Sequence, residues 1–183
     1  MRGGTRIRQP RPGQIFHVVW YTQDTLPPRD PRGEWGRLAD FYAPLIADNA
    51  AYAYYALQPA YTDAPGVGLT LAEADGRQLC RALVEATLDK TDRLTGGCPL
   101  IAATFLPTQA HALFRSNGRD INLIVGRLKS RIARTLIAHG RWRRPGRDLW
   151  GAGFWAAEIM DAKTAAAAKA FIRGLGGVQC SVP

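Results

Sequence analysis

The stretch from Pro99 to Asn117, PLIAATFLPTQAHALFRSN, limits what this chain can fold into more than any other part of it. Two apolar runs, Leu100 to Leu106 and Ala110 to Phe114, flank a Pro-Thr pair. Apolar runs with a turn between them are the pattern of a hairpin of buried strands. Strand side chains alternate faces, so Gln109 and His111 point one way while Ala110 points the other. A sheet built on this hairpin presents an amide and an imidazole together on one face.

The other elements fall around it. Ile15 to Thr22 (IFHVVWYT) is β-branched and aromatic and reads as a strand. A lone histidine on such a strand, His17, is more often a packed or surface residue than a ligand. Residues 23–36 are rich in Pro, Asp and Arg and read as loop. The aromatic stretch from Trp35 to Tyr61 suits a short helix near Leu38 to Asp48 followed by an extended piece. Thr70-Leu71-Ala72-Glu73 reads as a capping box opening a helix to about Thr91. Its buried stripe pairs Leu79 with Cys80, Leu83 with Val84 and Thr87 with Leu88. Asn117 to Asp120 caps a helix over about Ile121 to His139, with Ile121, Ile124, Val125, Leu128, Ile132 and Leu136 as its apolar face. Ala156 to Met160 is the last strand, and Asp161 caps a final helix, Ala162 to Leu175, rich in alanine. Gly176-Gly177 stops that helix, and 178–183 reads as a loose tail.

The order gives a βαββαβ plan: an α+β, ferredoxin-like sandwich, its antiparallel sheet carrying helices mainly on one face. At 183 residues one domain is expected, over 14–177, with a basic arm at 1–13 and an insertion at about 30–70. The arm carries Arg2, Arg6, Arg8 and Arg11 and reads equally well as a phosphate-touching segment or a solubilising tail.

Charge narrows the partner. The net charge is +9 with a pI near 10, which favours a polyanion, either nucleic acid or a membrane surface. Ten basic residues fall between Arg115 and Arg147, opposed within that span only by Asp120. Such clustering is the electrostatic footprint of phosphate-backbone binding. Arg141 to Asp148 (RWRRPGRD) adds an indole, Trp142, able to stack on a base beside arginine forks that grip phosphates. The expected nucleic-acid-binding residues are Lys129, Arg131, Arg134, Arg141, Trp142, Arg143, Arg144 and Arg147. No apolar run approaches the roughly 20 residues that span a bilayer, and the N-terminus lacks a signal-like apolar region. Cys80, Cys98 and Cys180 fit neither a disulfide framework nor a zinc cluster, which suits a reducing cytoplasm.

Several short motifs then resemble one family in order along the chain, the IS200-like, REP-associated tyrosine transposases of the HUH type. Leu106-Pro107-Thr108-Gln109-Ala110-His111 is similar to that family's metal-binding strand, in which both polar positions are histidine. Phe16-His17-Val18-Val19 resembles its first strand, Leu128-Lys129-Ser130 a helical Leu-Lys-Ser, and Leu149 to Trp155 its Leu-Trp-Gln-x-x-Phe-Tyr/Trp element. Phe171 to Gly176 falls on the helix that reads Tyr-Ile-x-x-Asn-Pro in the family. The resemblance spans about 14–175 apart from the insertion.

What the resemblance implies is cleavage and rejoining of single-stranded DNA. A divalent ion held by the two histidines polarises the phosphate, and the helix tyrosine attacks it. Here Gln109 stands for the first histidine, Phe171 for the tyrosine and Leu175 for the asparagine, and no tyrosine follows Tyr61. His111 with Gln109 is therefore the expected metal position, weakened or lost, with Mg²⁺ or Mn²⁺ as the ions it would take. The reading is a DNA-binding relative, of single-stranded or hairpin DNA, that has lost cleavage. The alternatives are an active nuclease or transposase using Tyr52, Tyr54 or Tyr55 from the insertion, or an RNA- or protein-binding module.

Overall fold

In the computed structural model the hairpin sits at the centre of a six-stranded antiparallel sheet. The structure describes residues 10–22, 34–56, 70–141, 148–151 and 153–182. Along the chain the elements are β1 (Pro12–Tyr21), α1 (Glu34–Ala47), β2 (Ala51–Ala56), α2 (Glu73–Leu88), β3 (Leu100–Phe105), β4 (Gln109–Asn117), α3 (Ile121–Ala138), β5 (Phe154–Ile159), α4 (Ala162–Arg173) and β6 (Val178–Gln179). The strand order is β2-β5-β1-β4-β3-β6. Its inner four, β5-β1-β4-β3, are the strands of the expected βαββαβ plan, and the α+β class is as read from the sequence.

Alternation along β1 builds two cores. Phe16, Val18 and Trp20 face α2 and α3, where Leu79 and Leu83 meet Ile124, Leu128, Ile132 and Leu136. Each fully buried Leu or Ile there contributes about 1.5–3 kcal/mol relative to exposure. Val19 faces the other way, with Leu113 of β4 and Ala157 of β5. That second face is closed by Ala165, Ala168 and Ile172 of α4 and by Leu38 and Tyr42 of α1. The two helices of the βαββαβ unit thus share one face as the plan requires. The opposite face is covered as well, because α4 is long enough to lie across it and the insertion supplies α1.

Three local expectations change. The α2 cap is not Thr70: the helix starts at Glu73, and the Asp75 carboxylate accepts from the Ala72 N–H at 3.2 Å. Asp120 and Asp161 do cap α3 and α4, accepting from Asn122 N and Thr164 N, each at 2.8 Å. The C-terminal tail is ordered: Val178 and Gln179 pair with Phe105 and Thr104 on the edge of β3. It is also tied covalently. Cys80 of α2 and Cys180 form a disulfide across 100 residues with a Cα separation of 4.9 Å, and Cys98 stays free and buried. Spacing along the chain hides this pairing, since only the docking of β6 brings Cys180 to α2. Among the described residues no helix is long and apolar enough to cross a membrane.

Candidate functional site

β1 and β4 are neighbours with Val19 opposite His111 and His17 opposite Leu113, so His17 and His111 lie diagonally on the α1–α4 face. Both imidazoles are fully buried. His17 Nε2 is 3.0 Å from His111 Nδ1, and His17 Nδ1 is 2.8 Å from the hydroxyl of Tyr42, which α1 delivers from the insertion. His111 Nε2 has no partner among the described residues.

These contacts form a chain with a preferred direction. If Tyr42 donates to His17 Nδ1, then His17 Nε2–H donates to His111 Nδ1, and one polar atom is left over, the His111 Nε2–H. The reverse polarity leaves two, the Tyr42 hydroxyl proton and the His111 Nε2 lone pair. Each buried, unmade hydrogen bond costs about 1–3 kcal/mol, so the first arrangement wins. Burial, with the neighbouring His111, holds the His17 pKa well below its ordinary value. Burial first, and then the Arg37 guanidinium, lower His111 to about 3. Burial pushes the Tyr42 phenol far up. The chain is three neutral groups at rest.

Aromatic rings seal it. Phe171 of α4 lies 6.3 Å from the His17 ring and 6.4 Å from the His111 ring, centre to centre. Its other side stacks on Phe41 at 4.5 Å. Trp155 packs on Tyr42 at 4.9 Å and edge-on to His17 at 5.7 Å. The position expected to carry an attacking hydroxyl therefore holds a phenyl group beside the histidine pair, and Leu175 is buried nearby in sequence rather than offering an amide. Gln109 is buried on the same face as His111, two residues nearer the hairpin turn.

A divalent ion fits this donor set poorly. Among the described residues no group of three or more His, Cys, Asp or Glu converges, His111 Nδ1 is already engaged, and the positive charge of Arg37 disfavours a cation at His111. Tyr52 is not an alternative partner for the pair. It sits opposite Glu158, whereas its neighbour Ala53 sits opposite Ala157 and so shares the histidine face. The side chains of Tyr54 and Tyr55 and all of Tyr61 lie outside the described residues.

The basic residues are distributed unevenly. Lys129 turns inward, its Nζ donating to Gly151 O at 2.8 Å and Gly153 O at 2.9 Å, and burial lowers its pKa to about 8. Trp150 Nε1 donates to the Lys129 carbonyl, so one residue pegs the 150–153 segment to α3 at two points. Arg131 bridges Asp89 at 2.8 Å and Asp92 at 3.3 Å, Arg127 meets Asp92 at 2.8 Å, and Arg141 meets Asp75 at 2.5 Å. The acids that oppose the cluster thus come from α2 and the turn after it, far away in sequence. Arg134 is exposed with no ion pair among the described residues. Trp142, Arg143, Arg144 and Arg147 lie outside the described residues.

Sequence reasoning read His17 as a packed or surface residue, and it is packed, but it joined neither His17 nor Tyr42 to His111. Tyr42 had a usable signal, because Leu38, Tyr42 and Leu45 recur at i, i+4 and i+7 on one side of α1. His17 had none, since only strand pairing decides that β1 lies beside β4.

The class these observations define is a ferredoxin-like α+β sandwich with a sealed histidine pair between its sheet and the helices α1 and α4. No family model and no curated relative matches the sequence. Among solved structures, one of a REP-associated tyrosine transposase bound to a REP hairpin is similar, with 15% identity over 93% of this chain and 70% of that chain at a TM-score of 0.45. The likeness is distant.

Proposed function

We propose that the protein binds single-stranded or hairpin DNA by its phosphate backbone and does not cleave it. The charge of +9, concentrated from Arg115 to Arg147, supports the binding half of the reading. The observation that carries the other half is Phe171, a ring without a hydroxyl, wedged between Phe41 and the histidine pair. Phosphodiester transfer needs an attacking oxygen in line with the leaving group and charge neutralisation at the phosphate. Neutral, solvent-free imidazoles supply neither. The members of the basic loop, Trp142, Arg143, Arg144 and Arg147, together with exposed Arg134, are the residues we assign to the DNA.

The test is incubation with labelled hairpin and single-stranded DNA in Mg²⁺ or Mn²⁺. A retarded complex is expected, weakening steeply with salt, with no nicked product and no covalent adduct. Salt-insensitive affinity refutes the basic cluster as the footprint, and strong preference for RNA of equal length favours an RNA-binding module.

One observation favours a second reading, an enzyme that uses Tyr42. A hydroxyl 2.8 Å from an imidazole that a second imidazole orients is the arrangement of an activated nucleophile. Against it, Tyr42 is only 1% exposed and its phenol resists ionisation. A protein–DNA adduct that maps to Tyr42 and vanishes in Tyr42→Phe establishes the enzyme instead.

A further inference from the structure

We propose that the Cys80–Cys180 bond makes the C-terminal segment a redox-controlled strap on the edge of the sheet: oxidised, it holds β6 on β3; reduced, it lets β6 peel away and leaves the β3 edge open. The inference is independent of what the protein binds.

Besides the disulfide, the segment is tied by Val178 and Val182, partly buried against the α2–α3 core, and by a short set of hydrogen bonds. β6 is two residues long, pairing Gln179 with Thr104 and Val178 with Phe105. Cys180 N donates to Ala103 O at 3.0 Å, and Thr104 Oγ1 donates to Val178 O at 3.2 Å. Gln179 Nε2 reaches Thr104 Oγ1 at 3.1 Å and the Ile172 carbonyl at 3.4 Å. Val178 is half-buried against Gly76, where an added Cβ would come within 2.9 Å of its Cγ2. Two residues of ladder are too short to persist alone, because ordering each backbone residue opposes about what one hydrogen bond returns. The covalent tie removes most of that entropy by keeping Cys180 beside α2.

The Cys80 half of the bond borders a cleft, although Cys80 and Cys180 are only 6% and 8% exposed. A cleft of about 370 Å³ is lined by Cys80, Arg81, Val84, Val178 and Ser181. A small dithiol fits there, beside the Cys80 sulfur. In the reaction a thiolate of the dithiol attacks one sulfur of the pair and expels the other cysteine as thiolate. The second thiol of the reagent then attacks the mixed disulfide, so Cys80 and Cys180 each end as a thiol and the dithiol as a cyclic disulfide. Two electrons pass from reagent to protein. Opening exposes the unpaired groups of β3, which is then an edge strand able to accept another strand.

The experiment is backbone hydrogen exchange on the full chain, untreated and after dithiothreitol, with alkylation and mass spectrometry to count thiols. Untreated protein is expected to show one alkylatable thiol after denaturation, Cys98, and the reduced protein three. Exchange across 174–182 and at the β3 amides that face β6 should rise at least about tenfold on reduction, a fall of about 1.4 kcal/mol in the free energy of local opening, while α3 stays protected. Cys180→Ser should match the reduced protein without reagent, and Cys80→Ser should do the same if it folds. Three thiols in oxidised protein, unchanged protection of 174–182 after reduction, or loss of protection throughout the molecule each overturn the proposal.

Discussion

Replacing Asp92 by Asn should weaken the fold and strengthen the grip on DNA at once. Asp92 Oδ1 accepts from the backbone N–H groups of Leu94 at 3.0 Å and Thr95 at 3.3 Å, while Oδ2 takes Arg127 at 2.8 Å and Arg131 at 3.3 Å. Its side chain is only 6% exposed. Burial raises the carboxyl pKa, but the hydrogen bonds from Arg127, Leu94 and Thr95 outweigh it and bring the pKa from 3.8 to about 2. At 1.36 kcal/mol per pH unit that difference is about 2.4 kcal/mol, trimmed to about 1–2 kcal/mol because Arg127 is 41% exposed and screened by water. For a chain of this size the melting temperature should fall by about 2–8 °C. The sign fixes the pH window: a depressed carboxyl contributes its stability above 3.8 and loses it as pH falls through 2, so the two proteins should converge in stability under strong acid. Arg131 keeps Asp89, so the substitution frees chiefly Arg127. One added phosphate contact should steepen the log–log salt dependence of single-strand binding by about 0.7 and tighten binding at low salt. Calorimetry reads the first effect and fluorescence anisotropy over a salt series the second. Unchanged stability refutes the anchoring argument; unchanged salt slope with lowered stability shows that this side of α3 touches no phosphate.

Two further outcomes are expected. Gly177→Ala places a Cβ 2.5 Å from the Phe105 carbonyl and 2.7 Å from both Leu106 Cδ2 and Thr104 Oγ1; since that carbonyl belongs to β3 and cannot retreat, thermal unfolding should show a loss of about 1–3 kcal/mol, and an unaltered melting curve contradicts the close approach of the tail. Arg143→Ala combined with Arg144→Ala should lower affinity for unrelated DNA sequences to the same extent in anisotropy titrations, because phosphate contacts carry no base information; a loss confined to one sequence argues for base readout instead.

Much of the fold was legible because its elements announce themselves locally. The apolar face of α3 is buried residue for residue, and Asp120 and Asp161 cap the helices they precede. On α2 the stripe drifts: Leu79, Cys80, Leu83 and Thr87 are buried, but Leu88 is 55% exposed. At about 100° per residue Leu88, nine positions after Leu79, lies on the opposite side of the helix from it and faces out. The hidden parts are all long-range. Arg131 looks like a free cation until Asp89 and Asp92 arrive beside it, and Cys180 looks unpaired until β6 docks. Strand neighbours, too, are chosen by the whole sheet, so nothing in residues 15–22 says that His17 will meet His111.

The cover that α1 and α4 place on the second sheet face decides what that meeting can do. A ferredoxin-like unit leaves one sheet face free of its own two helices, and polar groups on that face stay hydrated and available. Here α4 and α1 cover it, and His17 and His111 pass from water into an apolar layer of Val19, Leu113, Ala157 and Ile172. Two imidazoles entering such a layer must either carry charge without a counter-ion or become neutral and bond each other. The 3.0 Å contact between them, with Tyr42 closing one end, is the second solution. Three of the four ring nitrogens are then engaged within the chain, and the fourth, His111 Nε2, is buried without a partner among the described residues. The hydroxyl that completes the chain comes from the same helix that shuts it away. Phe171, 6.3 Å from the His17 ring and 6.4 Å from the His111 ring, closes the same layer from α4, so the helices on this face supply both the hydroxyl that pairs with His17 and the apolar ring that covers the pair.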